Sequence, residues 1–408
     1  MGCPDLGLYG TPSSDPQPRP APVPAERGLS RRPVFVGSVV LALLAVLGLG
    51  AAAVFAAGSR GSSPGNWVAP AGGAAPPPAA GTALPSVADE VVSMSATGDI
   101  IMAAGPGGLP PDNGQTFFSG VRTALRSDLQ MGNLEQPLTN DTGVSKCSAA
   151  SAGRTCFAFR SPPAYANLLR DAGFVLMNLA NNHAYDFGPE GNRQTRAALD
   201  AAGVKHTGAP GEITVVEVRG VKIAVLGFAP YPWAQSLTDI PAAVALVKKA
   251  QADTDLVVVQ MHVGAEGADK THVRPGEETY LGEDRGDSMK FAHGVIDAGA
   301  DLVVGHGPHV VRGLEFYKNR LIAYSLGNFA GYKALNAGGV TGLGAILKVS
   351  LHRDGTYAGG SLVGTRMVPP GLPGLDPKRE TLGLLRSLCK ADFPATGAKI
   401  GADGTMTP

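Results

Sequence analysis

The reactive side chains of this sequence stand in short groups, each directly behind an apolar run. Asp99 follows VVSMSATG, and Asn133 and Glu135 close SDLQMGNLE. Asn182, His183 and Asp186 lie in NLANNHAYDFG, behind FVLM. His262 ends DLVVVQMH, and His306 and His309 follow DLVV in the loop GHGPH. Carboxylate oxygens and imidazole nitrogens drawn from several places suit a divalent ion of intermediate softness, with Mn²⁺, Fe²⁺ or Zn²⁺ fitting best. A carboxylate placed to bridge would admit two such ions about 3.5–4 Å apart.

Each group also has an ordinary explanation. A Gly-Asp after a strand is usually a turn, Glu135 could favour a helix start through the helix dipole, and a lone buried histidine is usually a satisfied core residue. GHGPH is harder to explain structurally, because two histidines three apart on a Gly/Pro loop have little packing value. Five such ends in one domain favour a site over five separate accidents.

The elements that must carry these residues are legible from their periods. VVSMSATGD, SDLQMGNLE, FVLMNLANNH, KIAVLGFA, DLVVVQMH and DLVVGH read as buried strands that deliver polar residues at their carboxyl ends. PAYANLLRDAG reads as a helix, with Pro163 where a first turn tolerates it and Gly173 where it stops. Asp287 to Gly299 is similar. Arg219-Gly220, Lys318-Asn319 and Asp354-Gly355 mark hairpins. Crossovers together with hairpins indicate a layered α/β domain with mixed sheets. In such sheets, sites form beyond the carboxyl ends of the strands, where these residues lie.

The order of the groups is itself informative. GDI, GNLEQP, NLANNHAYDFG, HVGAEG and GHGPHV followed by YSLGNF resemble the CapA family of bacterial capsule-synthesis proteins, associated with poly-γ-glutamate. The resemblance runs from about Val91 to Val368 and includes FRSPPAYANLLRDAGF and GVKIAVLGFAP. It implies a metallophosphatase-like fold, similar to calcineurin-like phosphoesterases: a four-layer α/β/β/α sandwich with two mixed sheets. It further implies Asp99 as a first-strand metal ligand, Glu135 as a bridging carboxylate, and Asn182, His262, His306 and His309 as the remaining ligands of one or two divalent ions. His183 becomes the general acid or the stabiliser of a phosphoryl oxygen, with Asp186 orienting it. Two departures stand out. Phosphoesterases of this kind begin Asp-x-His, whereas Asp99 is followed by Ile100 and Ile101, a loss the capsule family shares. The family also reads GHHPH where this chain has Gly307.

An active site of this type would perform metal-assisted hydrolysis or transfer at phosphorus. No GxxxxGK[ST] loop is present, so ATP-driven polymer synthesis would need a separate cytoplasmic ligase. Three functions are expected to compete: an accessory factor for poly-γ-glutamate or a related envelope polymer, a metal-dependent phosphoesterase acting on nucleotide or envelope phosphates, and an inactive module that binds an anionic polymer. The accessory role would bring capsule-synthesis membrane proteins as partners, besides the polymer or a phosphorylated substrate.

The rest of the chain bears on location. Across 408 residues the charges balance, 34 Lys+Arg against 34 Asp+Glu, so bulk electrostatics do not suggest nucleic acid as a partner. Residues 1–32 are Pro-rich without apolar period and read as a disordered tail. Residues 33–57 contain an uncharged run, VFVGSVVLALLAVLGLGAAAVFAA, long enough to span a bilayer as a helix. An uncleaved anchor fits better than a signal peptide, since the run is long and a tail precedes it. Arg27, Arg31 and Arg32 before the run, against Arg60 after it, place the tail in the cytoplasm and the folded domain outside the cell membrane. Cleavage would make the protein secreted. Residues 58–89 form a Gly/Pro/Ala linker, 90–368 the folded domain, and 369–408 a C-terminal extension expected to form one helix or fray. Outside the membrane Cys147 and Cys156 are expected to pair, leaving Cys389.

Overall fold

The computed structural model describes residues 90–408. The expected tail 1–32, anchor helix 33–57 and linker 58–89 lie outside these residues. Contacts divide the chain into units 1–77 and 78–408, and the architecture below is that of the second. Among the described residues no helix is long and apolar enough to cross a membrane.

Two mixed sheets form the body. The larger runs, edge to edge, through Lys399–Ile400, Thr405–Thr407, Tyr357–Val368, Leu343–His352, Val91–Ile101, Leu129–Leu134, Leu176–Asn178 and Lys205–Thr207, with Asn328–Gly331 and Leu372–Leu375 joined beside this path. The smaller runs through Val311–Tyr317, Arg320–Leu326, Leu302–His306, Leu256–His262, Val221–Ala229 and Thr214–Val218. In each sheet the strands that end in polar residues are parallel to one another. Antiparallel hairpins complete the edges.

Period-two alternation assigns each strand residue to a layer. Met94, Leu129, Leu176, Leu347, Ile223, Val258 and Val304 all enter one cluster, so it lies between the two sheets. Their neighbours Met177 and Ile346 turn the other way, toward the helix residues Leu169 and Leu199. On the second sheet Ala224, Val259 and Val303 turn toward helices Ile240–Asp253 and Ser288–Asp297. Three apolar clusters thus separate two sheets and two outer helical layers.

Local signals act where the residue types require them. Arg219-Gly220 and Lys318-Asn319 adopt positive φ at both positions, as the tight hairpin turn demands. Helix Ala166–Ala172 ends on left-handed Gly173, and the Asp287 side chain caps the helix that follows it by accepting from the Lys290 amide.

The C-terminal segment is more than a helix. Helix Glu380–Asp392 forms and buries Leu382, Leu385 and Cys389 in the core between the sheets. Leu372–Leu375 pairs with Tyr357–Val368, and Lys399–Ile400 with Thr405–Thr407 extends the larger sheet. Residues 369–408 are therefore continuous with the domain rather than an extension of it. Their Gly/Pro composition concealed this because Pro is admitted to edge strands, and Pro373 sits on one. Cys147 and Cys156 form a disulfide, and Cys389 is free and buried.

Candidate metal centre

Strand register brings the polar ends into two rows. In the larger sheet Asp99 stands opposite Asn133 on one side and Asn328 on the other, and Asn133 stands opposite Asn178. In the smaller sheet His306 stands opposite His262. The packing of the sheets then sets one row against the other.

Asp99, Glu135 and His309 each offer a ligand atom, and these atoms all lie within 4.8 Å of one another. His262 Nε2 is 3.8 Å from Glu135 Oε1, and His306 Nδ1 is 3.8 Å from Asp99 Oδ1. Asn182 stands at the rim, its Nδ2 3.4 Å from Glu266 Oε1. A web of amides holds Asp99: Asn133 Nδ2 donates to Asp99 Oδ1 at 2.8 Å, while Asn178 and Asn181 donate to Asn133 Oδ1 at 3.0 and 3.1 Å. His306 Nε2 lies 3.1 Å from Gln260 Oε1, which turns Nδ1 toward Asp99.

The donor set fits a cation. Both oxygens of Glu135, Asp99 Oδ2, Asn182 Oδ1, His262 Nε2 and His306 Nδ1 are buried without a hydrogen-bond partner. Buried polar atoms are ordinarily paired, and leaving so many unpaired in one place is costly. A divalent ion among them would satisfy oxygen and imidazole ligands together. The charges agree. Burial opposes ionisation of Asp99, but His309 and the other imidazoles overcome it and hold that carboxyl below its usual range. Burial and the neighbouring Asp99 charge push Glu135 well up, so the carboxylates strain against each other without a positive charge between them. Burial pushes His306 down to about 4 and, with Arg285, pushes His262 well down, keeping both rings neutral and able to ligate. Burial also opposes the His309 charge, but Glu135, Asp99 and Glu266 draw a proton to it, as they would draw a cation.

His183 and Asp186 form a separate pair beside this cluster. His183 Nδ1 lies 2.8 Å from Asp186 Oδ2, which also accepts from the Phe159 amide at 2.8 Å. The other Asp186 oxygen takes an ion pair from Lys146 at 2.6 Å. Burial lowers the His183 pKa against the pull of Asp186. The ring is thus a neutral imidazole whose orientation is set by a fixed carboxylate.

Several participants were not singled out from the sequence. Glu266 lies in the quoted HVGAEG and faces His309 Nε2 at 3.8 Å. Asn328 lies in SLGNF, Asn181 is the first amide of NNH, and Lys146 precedes the disulfide loop. Glu266 belongs to an excursion from Gly264 to Gly286, pinned where Arg312 donates to both Glu278 oxygens at 2.7 and 2.8 Å. No periodic signal marks it. Gly307, at φ 110, packs against His262: a Cβ there would lie 3.1 Å from His262 Nε2.

Two mixed sheets with a buried carboxylate–imidazole cluster at their strand ends define an α/β protein with a candidate metal centre. Residues 93–333 match the family described as bacterial capsule synthesis protein PGA_cap, and the chain belongs to that family. It is 31% identical over 260 residues to the PGA biosynthesis protein CapA of Bacillus subtilis (strain 168), covering 59% of this chain and 63% of that one. It is 31% identical over 264 residues to the capsule biosynthesis protein CapA of Bacillus anthracis, covering 59% and 60%. A probable polyglutamine synthesis accessory protein of Mycobacterium tuberculosis is 27% identical over 272 residues, covering 60% and 66%. The chain thus spans a little over three fifths of the length of these relatives. Among solved structures, the 5'-nucleotidase precursor of Thermus thermophilus aligns with a TM-score of 0.41 at 15% identity, covering 73% of this chain and 59% of that one. A putative 5'-nucleotidase of Staphylococcus aureus aligns with a TM-score of 0.39 at 12% identity, covering 73% and 58%.

Proposed function

We propose that this chain is a membrane-anchored, extracytoplasmic factor in the biosynthesis or export of a capsule polymer, poly-γ-glutamate or a related envelope polymer, and that it works through a divalent cation held by Asp99, Glu135 and His309. Family membership and the relatives' names support the polymer. The apolar run and arginine bias of the first 60 residues support the anchor and the outside location. The observation that carries the metal is the convergence of unpaired, buried ligand atoms at the strand ends.

When bound, such an ion supplies Lewis-acid charge and makes bound water more acidic. The protein's own groups do the rest. Asp99, Glu135 and the three histidines would hold the ion, one or two being accommodated, with Asn182 adding an amide oxygen at the rim. The His183–Asp186 pair holds a proton on Nδ1 and leaves Nε2 available to exchange one with a bound oxyanion. That pair favours a second reading, a metal-dependent phosphoesterase acting on nucleotide or envelope phosphates. The expected partners are the membrane, an anionic polymer or phosphorylated substrate, and capsule-synthesis membrane proteins.

The test uses the detergent-solubilised full chain. Bound metal is measured after Mn²⁺ loading, and hydrolysis of a generic phosphodiester is compared with that of His183→Ala and Glu135→Ala, alongside surface polymer in a strain lacking the protein. Metal retention with polymer loss supports the accessory role. Hydrolysis abolished by both substitutions, with polymer unchanged, favours the phosphoesterase. Failure to retain metal would sink the cation-based mechanism.

A further inference from the structure

Arg285 is 1% exposed, yet only part of its guanidinium is satisfied. Nη1 donates to Glu266 Oε1 at 2.9 Å and lies 3.8 Å from a second carboxylate oxygen, Glu283 Oε2. Nε and Nη2 are buried and have no acceptor among the described residues. These two nitrogens form the side-on fork of the guanidinium, whose parallel N–H bonds match two oxygens of one carboxylate or phosphate. A purely structural buried arginine would have this fork paired, because unpaired buried charge is costly.

The surroundings point to a ligand. Glu266 links Arg285 to the metal centre, since it also contacts Asn182 at 3.4 Å and His309 at 3.8 Å. The guanidinium charge bears on Glu135 and His262. The half-buried rings of Tyr231 and Tyr280 stand 6.0 and 5.8 Å from the guanidinium carbon, so an anion arriving there would meet little competing water. The backbone holds the residue in place: its carbonyl accepts from Gly264 and its amide donates to Glu278.

We propose that the Nε/Nη2 fork of Arg285 receives an oxyanion, a phosphoryl or carboxylate group of the molecule that binds at the metal centre. This rests on the cation-centre reading above and adds its anion-recognising half. The carboxylate source would be a glutamyl polymer, the phosphoryl source a phosphorylated substrate.

Calorimetric titration of the solubilised full chain tests it, with inorganic phosphate and separately glutarate as probes, both with Mn²⁺ and after chelation. The wild type binds at least one probe. Arg285→Gln weakens that binding by about tenfold or more, the loss of a charged, two-pronged contact. Arg285→Lys, which keeps the charge but loses the fork, falls between the two. Phosphate preference identifies a phosphoryl group and glutarate preference a carboxylate. Equal affinity in Arg285→Gln and wild type, or no binding of either probe by the wild type, overturns the proposal. Should Arg285→Gln lack a cooperative melt, Arg285→Lys decides, and wild-type affinity in that variant is the overturning result. Mn²⁺ affinity is measured separately: if the wild type binds none, the cation reading fails, while the chelated titrations still decide Arg285.

Discussion

Asn328 grips His309 at two points. Its Oδ1 lies 2.8 Å from His309 Nδ1, and its Nδ2 donates to the His309 carbonyl at 3.1 Å and to the Thr341 carbonyl at 3.0 Å. Because both carbonyls need the amide nitrogen, the amide oxygen must face the ring and take the Nδ1 proton. Nε2 is then the ring atom left toward Glu135, 3.6 Å away. His309 holds this pose at φ 58, a left-handed backbone that the grip helps to fix. Asn328→Ala is expected to lower Mn²⁺ affinity by about 10- to 100-fold, the usual cost of losing a group that orients a ligand. Isothermal titration with Mn²⁺ checks it, and an unchanged affinity would remove Asn328 from the centre.

Glu135 and Asp99 are buried together, and their repulsion is relieved by a proton on Glu135 or by a bound cation. Glu135→Gln should therefore melt no lower than the wild type in chelator, while losing the rise in melting temperature that Mn²⁺ confers on the wild type. Differential scanning fluorimetry with and without Mn²⁺ reads both effects. An equal rise in the variant would exclude Glu135 as a ligand.

The disulfide closes a loop between residues nine apart, and Lys146 beside it reaches Asp186. Loop closure of this length stabilises by about 2–3 kcal/mol. The double variant Cys147→Ser, Cys156→Ser is expected to lose about that much in urea unfolding, and reductant should shift the wild type alike. A reductant-insensitive wild type would show that the loop does not depend on the bond.

Glu212 titrates among partners of its own, none of them a candidate metal ligand. Burial opposes its charge, but hydrogen bonds from His206, the Ala209 amide and Arg196 prevail and hold its pKa at about 2, against an ordinary 4.5. The depressed value means the charged form stabilises the fold at pH above 4.5, and that contribution disappears as pH falls toward 2. The gap in melting temperature between wild type and Glu212→Gln should be full at neutral pH and close across that window. A gap independent of pH would assign the loss to packing instead.

Much of the candidate site was legible because its residues sit where apolar runs stop. Asp99, Glu135, His262 and His306 could be named from that position, and Arg219-Gly220 and Lys318-Asn319 marked their turns because few residue types tolerate positive φ. Glu266 and Arg285 were not legible. They lie on a long excursion whose strands, Thr279–Tyr280 and Glu283–Asp284, are too short to leave a period. Asn328 was visible as a motif letter, but its grip on His309 spans a turn and a strand, and no spacing in the chain records it.

The sequence by itself determined the strands, their polar ends and the family, since these depend on residue type, local period and motif order. Only the tertiary structure decided which ends meet. Asp99 and Glu135 come from one sheet and His262 and His306 from the other, and their meeting depends on two separately hydrogen-bonded sheets closing over a shared apolar core. That closure is a sum of long-range packing contacts, and no local stretch of the chain carries it.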